Sequence, residues 1–97
     1  MRLVLSQLAL AELDAILGFI GRQSPLGAKH VEARMRRAFE LIASHPEVAQ
    51  RVEERSGVRR LPLARYPYVI YYEIGAEEVT VLRILHGARW QPWSEEE

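Results

Sequence analysis

The sequence predicts an α+β domain in which a helical hairpin is followed by a small sheet. Three observations predict it. Apolar residues recur at helical spacing from Leu8 to Ala43, broken once by Ser24-Pro25. From Val58 to His86 the pattern changes to short runs of high apolar density, the last two rich in β-branched and aromatic residues and separated by Gly75-Ala76. The 97 residues are 48% apolar, which suits one folded domain whose small core buries about two thirds of the extended chain's surface.

Arg2 to Leu5 is a short strand candidate. Ser6 then caps the first helix, its hydroxyl accepting an amide proton that has no partner inside the helix. From Leu8 to about Ile20, Leu10, Leu13, Leu17 and Ile20 form the apolar stripe, with Ile16 beside them and Glu12 early in the same helix. Gly21 is expected to help end it. Ser24-Pro25 starts a second helix, because proline suits a first turn where its missing amide is not needed. That helix is predicted from about Pro25 to Ala43, with Val31, Met35, Ala38, Phe39 and Ile42 facing the core. Glu32, Arg36 and Glu40 are four apart and share the solvated side. The short link makes the hairpin antiparallel. His45-Pro46 marks the exit, since proline restricts the residue before it. Val48 to Ser56 reads as a polar connection. Three strands follow, at about Val58–Leu63, Tyr68–Ile74 and Glu78–His86, with a less regular loop at Arg65-Tyr66-Pro67.

Strand alternation assigns the sheet faces. Leu61, Leu63, Ile70, Tyr72, Leu82 and Ile84 are placed against the helices. Val81, Arg83 and Leu85 point the other way, and Arg60 shares that open face with Arg83. A bulge would reverse the assignment. Two cations on a partly apolar face suit a peptide or an anion, and exposed apolar patches usually mark an interface.

The composition excludes several classes. There is no cysteine, so disulfides and thiolate sites are excluded. No apolar run is long enough for a membrane span and no signal peptide is recognisable, so a cytoplasmic protein is expected. Three histidines without clustered spacing give no metal site, and no glycine-rich nucleotide loop is present. No cofactor is therefore expected. Thirteen basic and thirteen acidic side chains cancel, which argues against broad electrostatic capture of nucleic acid. The distribution is less even: residues 51–65 hold five arginines and two glutamates, and the chain ends Glu95-Glu96-Glu97.

Several segments together resemble the toxins of bacterial toxin–antitoxin modules in the ParE/RelE superfamily, closest to the ParE-like branch. They are Ala11-Glu12-Leu13-Asp14, the proline-containing exit of the second helix, Gly57-Val58-Arg59-Arg60-Leu61, Tyr66-Pro67-Tyr68-Val69-Ile70-Tyr71-Tyr72 and Ile84-Leu85-His86-Gly87-Ala88-Arg89. The order and spacing agree over nearly the whole chain. The resemblance implies one domain over residues 1–97 with a β-α-α-β-β-β order. It adds the first strand to a small, mainly antiparallel sheet. Residues 90–97, which end in three glutamates, are expected to be a partly flexible tail. It also implies a cognate antitoxin whose tail folds as it wraps the toxin.

Two mechanisms are open on that resemblance. A ParE-like toxin binds DNA gyrase as a protein ligand and traps cleaved DNA, with no catalytic group of its own. Arg59, Arg60, Arg65, Arg83, His86 and Arg89 would then supply polar contacts. Tyr66, Trp90 and Trp93 would supply aromatic anchors. A RelE-like toxin instead cuts messenger RNA on the ribosome. That chemistry needs a base, positive charge at the phosphate and an acid for the leaving oxygen. Histidine titrates near neutrality, which suits His86; Arg65, Arg83 and Arg89 would stabilise phosphorane charge, and Tyr66 would stack on a base. His86 reads equally well as a strand-end residue bonded to a loop. The zero net charge and the single lysine, Lys29, depart from the basic character of ribosome-dependent members. A third reading is a non-toxic relative that only binds antitoxin.

Overall fold

A computed structural model describes residues 1–87 of the chain. Two serines set the helix starts. The Ser6 hydroxyl accepts the Ala9 N–H at 3.0 Å, opening helix α1 (Gln7–Gln23) directly after strand β1 (Arg2–Leu5). Ser24 closes α1 and opens α2 (Pro25–Ser44): its own N–H donates to the Ile20 carbonyl at 2.7 Å, and its Oγ accepts from Gly27 at 2.9 Å. Gly21 therefore lies inside α1 rather than ending it. One serine satisfies both helix ends, so the hairpin link needs no further residue. His45 caps α2, donating its N–H to Leu41 at 2.8 Å.

Strands β3 (Val58–Pro62), β4 (Tyr68–Ile74) and β5 (Glu78–His86) lie close to the predicted bounds. The supposed connection also holds a two-residue strand, β2 (Gln50–Arg51), paired with Arg59 and Arg60. Two polar residues carry no alternation, which is why the sequence pattern hides it. The sheet order is β1-β5-β4-β3-β2; β1 runs parallel to β5 and the other pairs are antiparallel. This is the β-α-α-β-β-β architecture expected, with the helical hairpin against one sheet face.

The main core lies between helices and sheet. Met35, Ile42, Ile70, Tyr72, Val79, Val81 and Ile84 are essentially inaccessible there, and each aliphatic one contributes about 1.5–3 kcal/mol by leaving water. Ala9, Leu13 and Ile16 are the α1 residues that meet this core. Leu10, expected there, is 51% exposed. The other sheet face carries a second cluster of Val52, Val58, Val69 and Tyr71, with Leu82 and Leu85 beside it.

The face assignment of β5 changes at one point. Opposite Tyr71 and Tyr72 the register slips by one residue: Tyr71 faces Arg83, whereas Tyr72 faces Val81. The extra residue, Leu82, forms a bulge. As a result Val81 is buried with the helices and Leu82 joins the open-face cluster, the reverse of simple alternation. Ile84, Leu85, Ile70, Tyr72, Leu61 and Leu63 keep the faces expected of them.

Candidate functional site

The bulge coincides with a break in pairing on the other side of β5. β1 pairs with Glu78 to Val81 and then turns into α1, leaving the rest of that β5 edge without a strand. Buried backbone groups need partners, and α1 provides them. Ser6 donates its N–H to the Val81 carbonyl at 2.9 Å and its hydroxyl to the Leu82 carbonyl at 3.0 Å. Glu12 accepts the Ile84 N–H on Oε1 at 2.8 Å. Its Oε2 accepts Arg83 Nε at 2.8 Å and Nη2 at 2.6 Å. The two side chains are only 17% and 23% exposed, so water screens this pair less than a surface pair. Arg83 stands opposite Tyr71 in the ladder, as an open-face position should. Its guanidinium, however, is committed to α1 rather than offered as a cation on that face. Glu12 is the residue that sequence reasoning passed over. Its signal was a carboxylate on the inner side of an otherwise apolar helix stretch.

The end of the sheet beyond the bulge gathers three of the predicted residues. The β3–β4 connection closes through a four-residue turn in which Tyr66 donates its N–H to Leu63 at 3.2 Å. Arg65 is the third residue of that turn, with φ 75°, a value usually left to glycine. An arginine there costs about 1–2 kcal/mol of backbone strain. It is exposed, while Tyr66 packs against the main core. His86 pairs with Tyr68 across the strands, and the rings meet edge to face with centroids 6.0 Å apart. Gly87 donates its N–H to Pro67 at 2.7 Å, tying the end of β5 to the same loop. A Cβ on Gly87 would lie 2.6 Å from Val69 Cγ2, so this approach needs glycine.

The other predicted residues lie elsewhere. Arg59 donates to the Ala49 carbonyl at 2.8 Å and the Glu47 carbonyl at 3.3 Å, which pins the segment after α2 to the sheet. That is a structural use of its guanidinium. Arg60 lies on the open face opposite Tyr71, as expected. Arg89, Trp90 and Trp93 are outside the described residues. A hollow of about 550 Å³ is walled by Met1, His45, Pro46, Glu47, Val48 and Ile74, and Arg59 reaches its edge through the bond to the Glu47 carbonyl. No helix among the described residues is long and apolar enough to cross a membrane.

Comparison with known proteins joins the sequence pattern to this fold. Residues 3–90 match the family described as the ParE toxin of type II toxin–antitoxin system, parDE. The chain belongs to the ParE toxin family. Among curated relatives, Toxin RelE2 of Caulobacter vibrioides is 37% identical over 81 residues, covering 84% of this chain and 89% of the relative. The protein Y4kP of Sinorhizobium fredii is 33% identical over 84 residues, covering 87% and 85%. Among solved structures, a chain of the chromosomal ParDE TA system from P. aeruginosa superposes with a TM-score of 0.76 at 27% identity. That match covers 89% of this chain and 95% of the other. The helical hairpin on a five-stranded sheet is thus the fold of this toxin family. Because both RelE and ParE names occur among the relatives, membership fixes the class of toxin and not its target.

Proposed function

We propose that this ParE-family toxin poisons DNA gyrase as a protein ligand and is neutralised by a cognate antitoxin. The observation that carries the choice of target is the Glu12–Arg83 pair. Cleavage of RNA requires uncompensated positive charge where phosphate oxygens gather negative charge in the transition state. Among the described residues, Arg83 is the arginine on the same strand as His86, and the Glu12 carboxylate already neutralises it. Arg59 is likewise held by backbone carbonyls. The zero net charge of the whole chain supports the same reading, since a phosphate-lined ribosomal cleft favours a basic ligand. A protein ligand needs no converging base and acid. The strained turn at Arg65, with Tyr66 beside it, forms an exposed corner suited to a protein contact, whereas His86 is a strand-end residue packed on Tyr68.

The test is a plasmid cleavage assay. Toxin released from its antitoxin is incubated with gyrase, ATP and supercoiled plasmid. Linear DNA covalently attached to gyrase is the expected product, and His86→Ala should leave it largely intact. Folded toxin that yields no linear plasmid but cuts messenger RNA on translating ribosomes would replace this reading with the ribonuclease one.

A further inference from the structure

Two hollows meet where β3 begins and β4 ends, at the end of the sheet opposite the Arg65 corner. The first is the hollow of about 550 Å³ beside His45, and its walls are mostly apolar. Met1 and Val48, at its rim, are each about half exposed. The second holds about 370 Å³ and is walled by Arg51, Ser56, Gly57 and Arg59. Glu47 and Ile74 belong to both, so the two form one depression with an apolar end and a charged end.

The charged end holds an uncompensated pair. Arg51 and Arg59 stand directly opposite each other in the β2–β3 ladder, so their side chains leave the same sheet face close together. Like charges placed this way destabilise a sheet. Neither arginine has an ion-pair partner among the described residues. Arg59 uses Nη1 alone to reach the Ala49 and Glu47 carbonyls. Neutral carbonyls orient a guanidinium without cancelling its charge, and its remaining N–H groups are fixed in a planar fork that matches a carboxylate or a phosphate. The Ser56 hydroxyl lies in the same wall and can donate to the same anion. Glu47 is the one carboxylate lining either hollow, against two guanidinium groups. An anion bridging Arg51 and Arg59 therefore relieves their repulsion. Both volumes fall in the range of about 300–1,000 Å³ usual for small-molecule sites, where a few polar groups stand beside a mainly apolar cavity.

We propose that this depression binds a small amphipathic anion, with a carboxylate or phosphate head held by Arg51, Arg59 and Ser56 and an aliphatic body laid against Met1, Pro46, Val48 and Ile74. The site is separate from the contact corner at Arg65 and does not depend on the choice of gyrase as target. Its occupant links the segment after α2 to the start of β3, and by binding the folded chain it stabilises the fold.

The experiment titrates the full-length toxin, released from its antitoxin, with hexanoate, octanoate and decanoate in a calorimeter, below the concentrations at which they form micelles. Each methylene that leaves water should tighten binding about fourfold, so decanoate should bind about tenfold or more tighter than octanoate. Decanol, with the same body and no charge, should bind at least about tenfold more weakly than decanoate. Octyl phosphate compared with octanoate tells which head the arginines favour, and binding of either one supports the site. Arg51→Gln should weaken decanoate about tenfold, through the loss of a charge-assisted bond. Val48→Glu should abolish binding by placing a negative charge at the apolar end. Arg22→Gln, an exposed change on α1, should leave it unchanged. Circular dichroism melts without ligand should match wild type for Val48→Glu and Arg22→Gln, which alter exposed side chains. Arg51→Gln should melt no lower than wild type, because it removes one of two opposed charges. Wild-type toxin that binds none of these anions would overturn the proposal. So would equal binding of decanol and decanoate, or equal binding by folded Arg51→Gln and Val48→Glu, which would mean adsorption to the surface at large. A toxin that fails to poison gyrase but gives the expected titrations would overturn the proposed target and leave this site standing.

Discussion

Replacing Glu12 with alanine should destabilise the fold by about 2–3 kcal/mol. The magnitude follows from what the carboxylate does. It accepts two guanidinium bonds from Arg83 and the Ile84 N–H, all between 2.6 and 2.8 Å. Removal takes this carboxylate away from a largely buried cation and from a backbone donor. A fully buried pair broken in this way costs about 3–5 kcal/mol and an exposed one about 0–1. The 17% and 23% exposures place this pair between those limits and nearer the buried one. Glu12→Gln keeps an oxygen for Ile84 but loses the charge, and should cost about 1 kcal/mol. Urea denaturation at constant m-value gives the numbers, and for a domain of this size 2 kcal/mol appears as a fall in Tm of about 8–16 °C. A double-mutant cycle with Arg83→Met should return a coupling of about 1–2 kcal/mol. Amide exchange at Ile84 should accelerate in Glu12→Ala more than exchange at Ile70. A loss below about 0.5 kcal/mol, the level of an ordinary surface change, would show that β5 holds its bulge without α1 and would refute the reasoning.

Two further predictions concern strain and burial. Arg65→Gly should raise stability, by up to about 1 kcal/mol, because glycine adopts the 75° φ without the Cβ clash. It should also lower gyrase poisoning, and a loss of stability in urea melts would mean that the arginine side chain packs more than it strains. Tyr72 donates its hydroxyl to the Pro46 carbonyl at 2.6 Å, so Tyr72→Phe should cost about 1–1.5 kcal/mol at neutral pH. Burial raises the Tyr72 pKa above 10.0, so the folded chain holds this proton more firmly than the unfolded one. Its contribution is complete below pH 10 and is lost as the pH rises through the raised value. The stability gap between wild type and Tyr72→Phe should therefore shrink above pH 10, and a constant gap would contradict the assignment.

Most of the fold was legible because it rests on local chemistry. Ser6 and Ser24 mark helix starts through side-chain bonds to residues three positions on, and those bonds form as expected, while His45-Pro46 marks the exit of α2 through proline's restriction of the residue before it. The β4 and β5 runs are seven and nine residues of high apolar density with β-branched and aromatic side chains, long enough to be recognised. What failed was non-local. The Leu82 bulge arises from pairing opposite Tyr71 and Tyr72, and no feature of the β5 sequence alone specifies it. Leu10 has the spacing of a core residue, but the helix turns Ala9 inward instead. Ala9 is fully buried where the chain passes directly from β1 into α1 and leaves little room for a larger side chain.

The candidate site was legible as a set of residues but not as a set of charges. Counting arginines between strand residues placed Arg59, Arg60, Arg65 and Arg83 in one basic region. The structure divides them by partner: Arg59 goes to backbone carbonyls, Arg83 to Glu12, and Arg65 to an exposed turn. The value of a cation to a ligand depends on whether a carboxylate already holds it, since a second anion gains little beside a neutralised pair. Arg83 and Glu12 are seventy-one residues apart, so no sequence window could reveal that pairing. The arginines are therefore to be read by the partner that the fold gives each one, rather than by the stretch where arginines are densest.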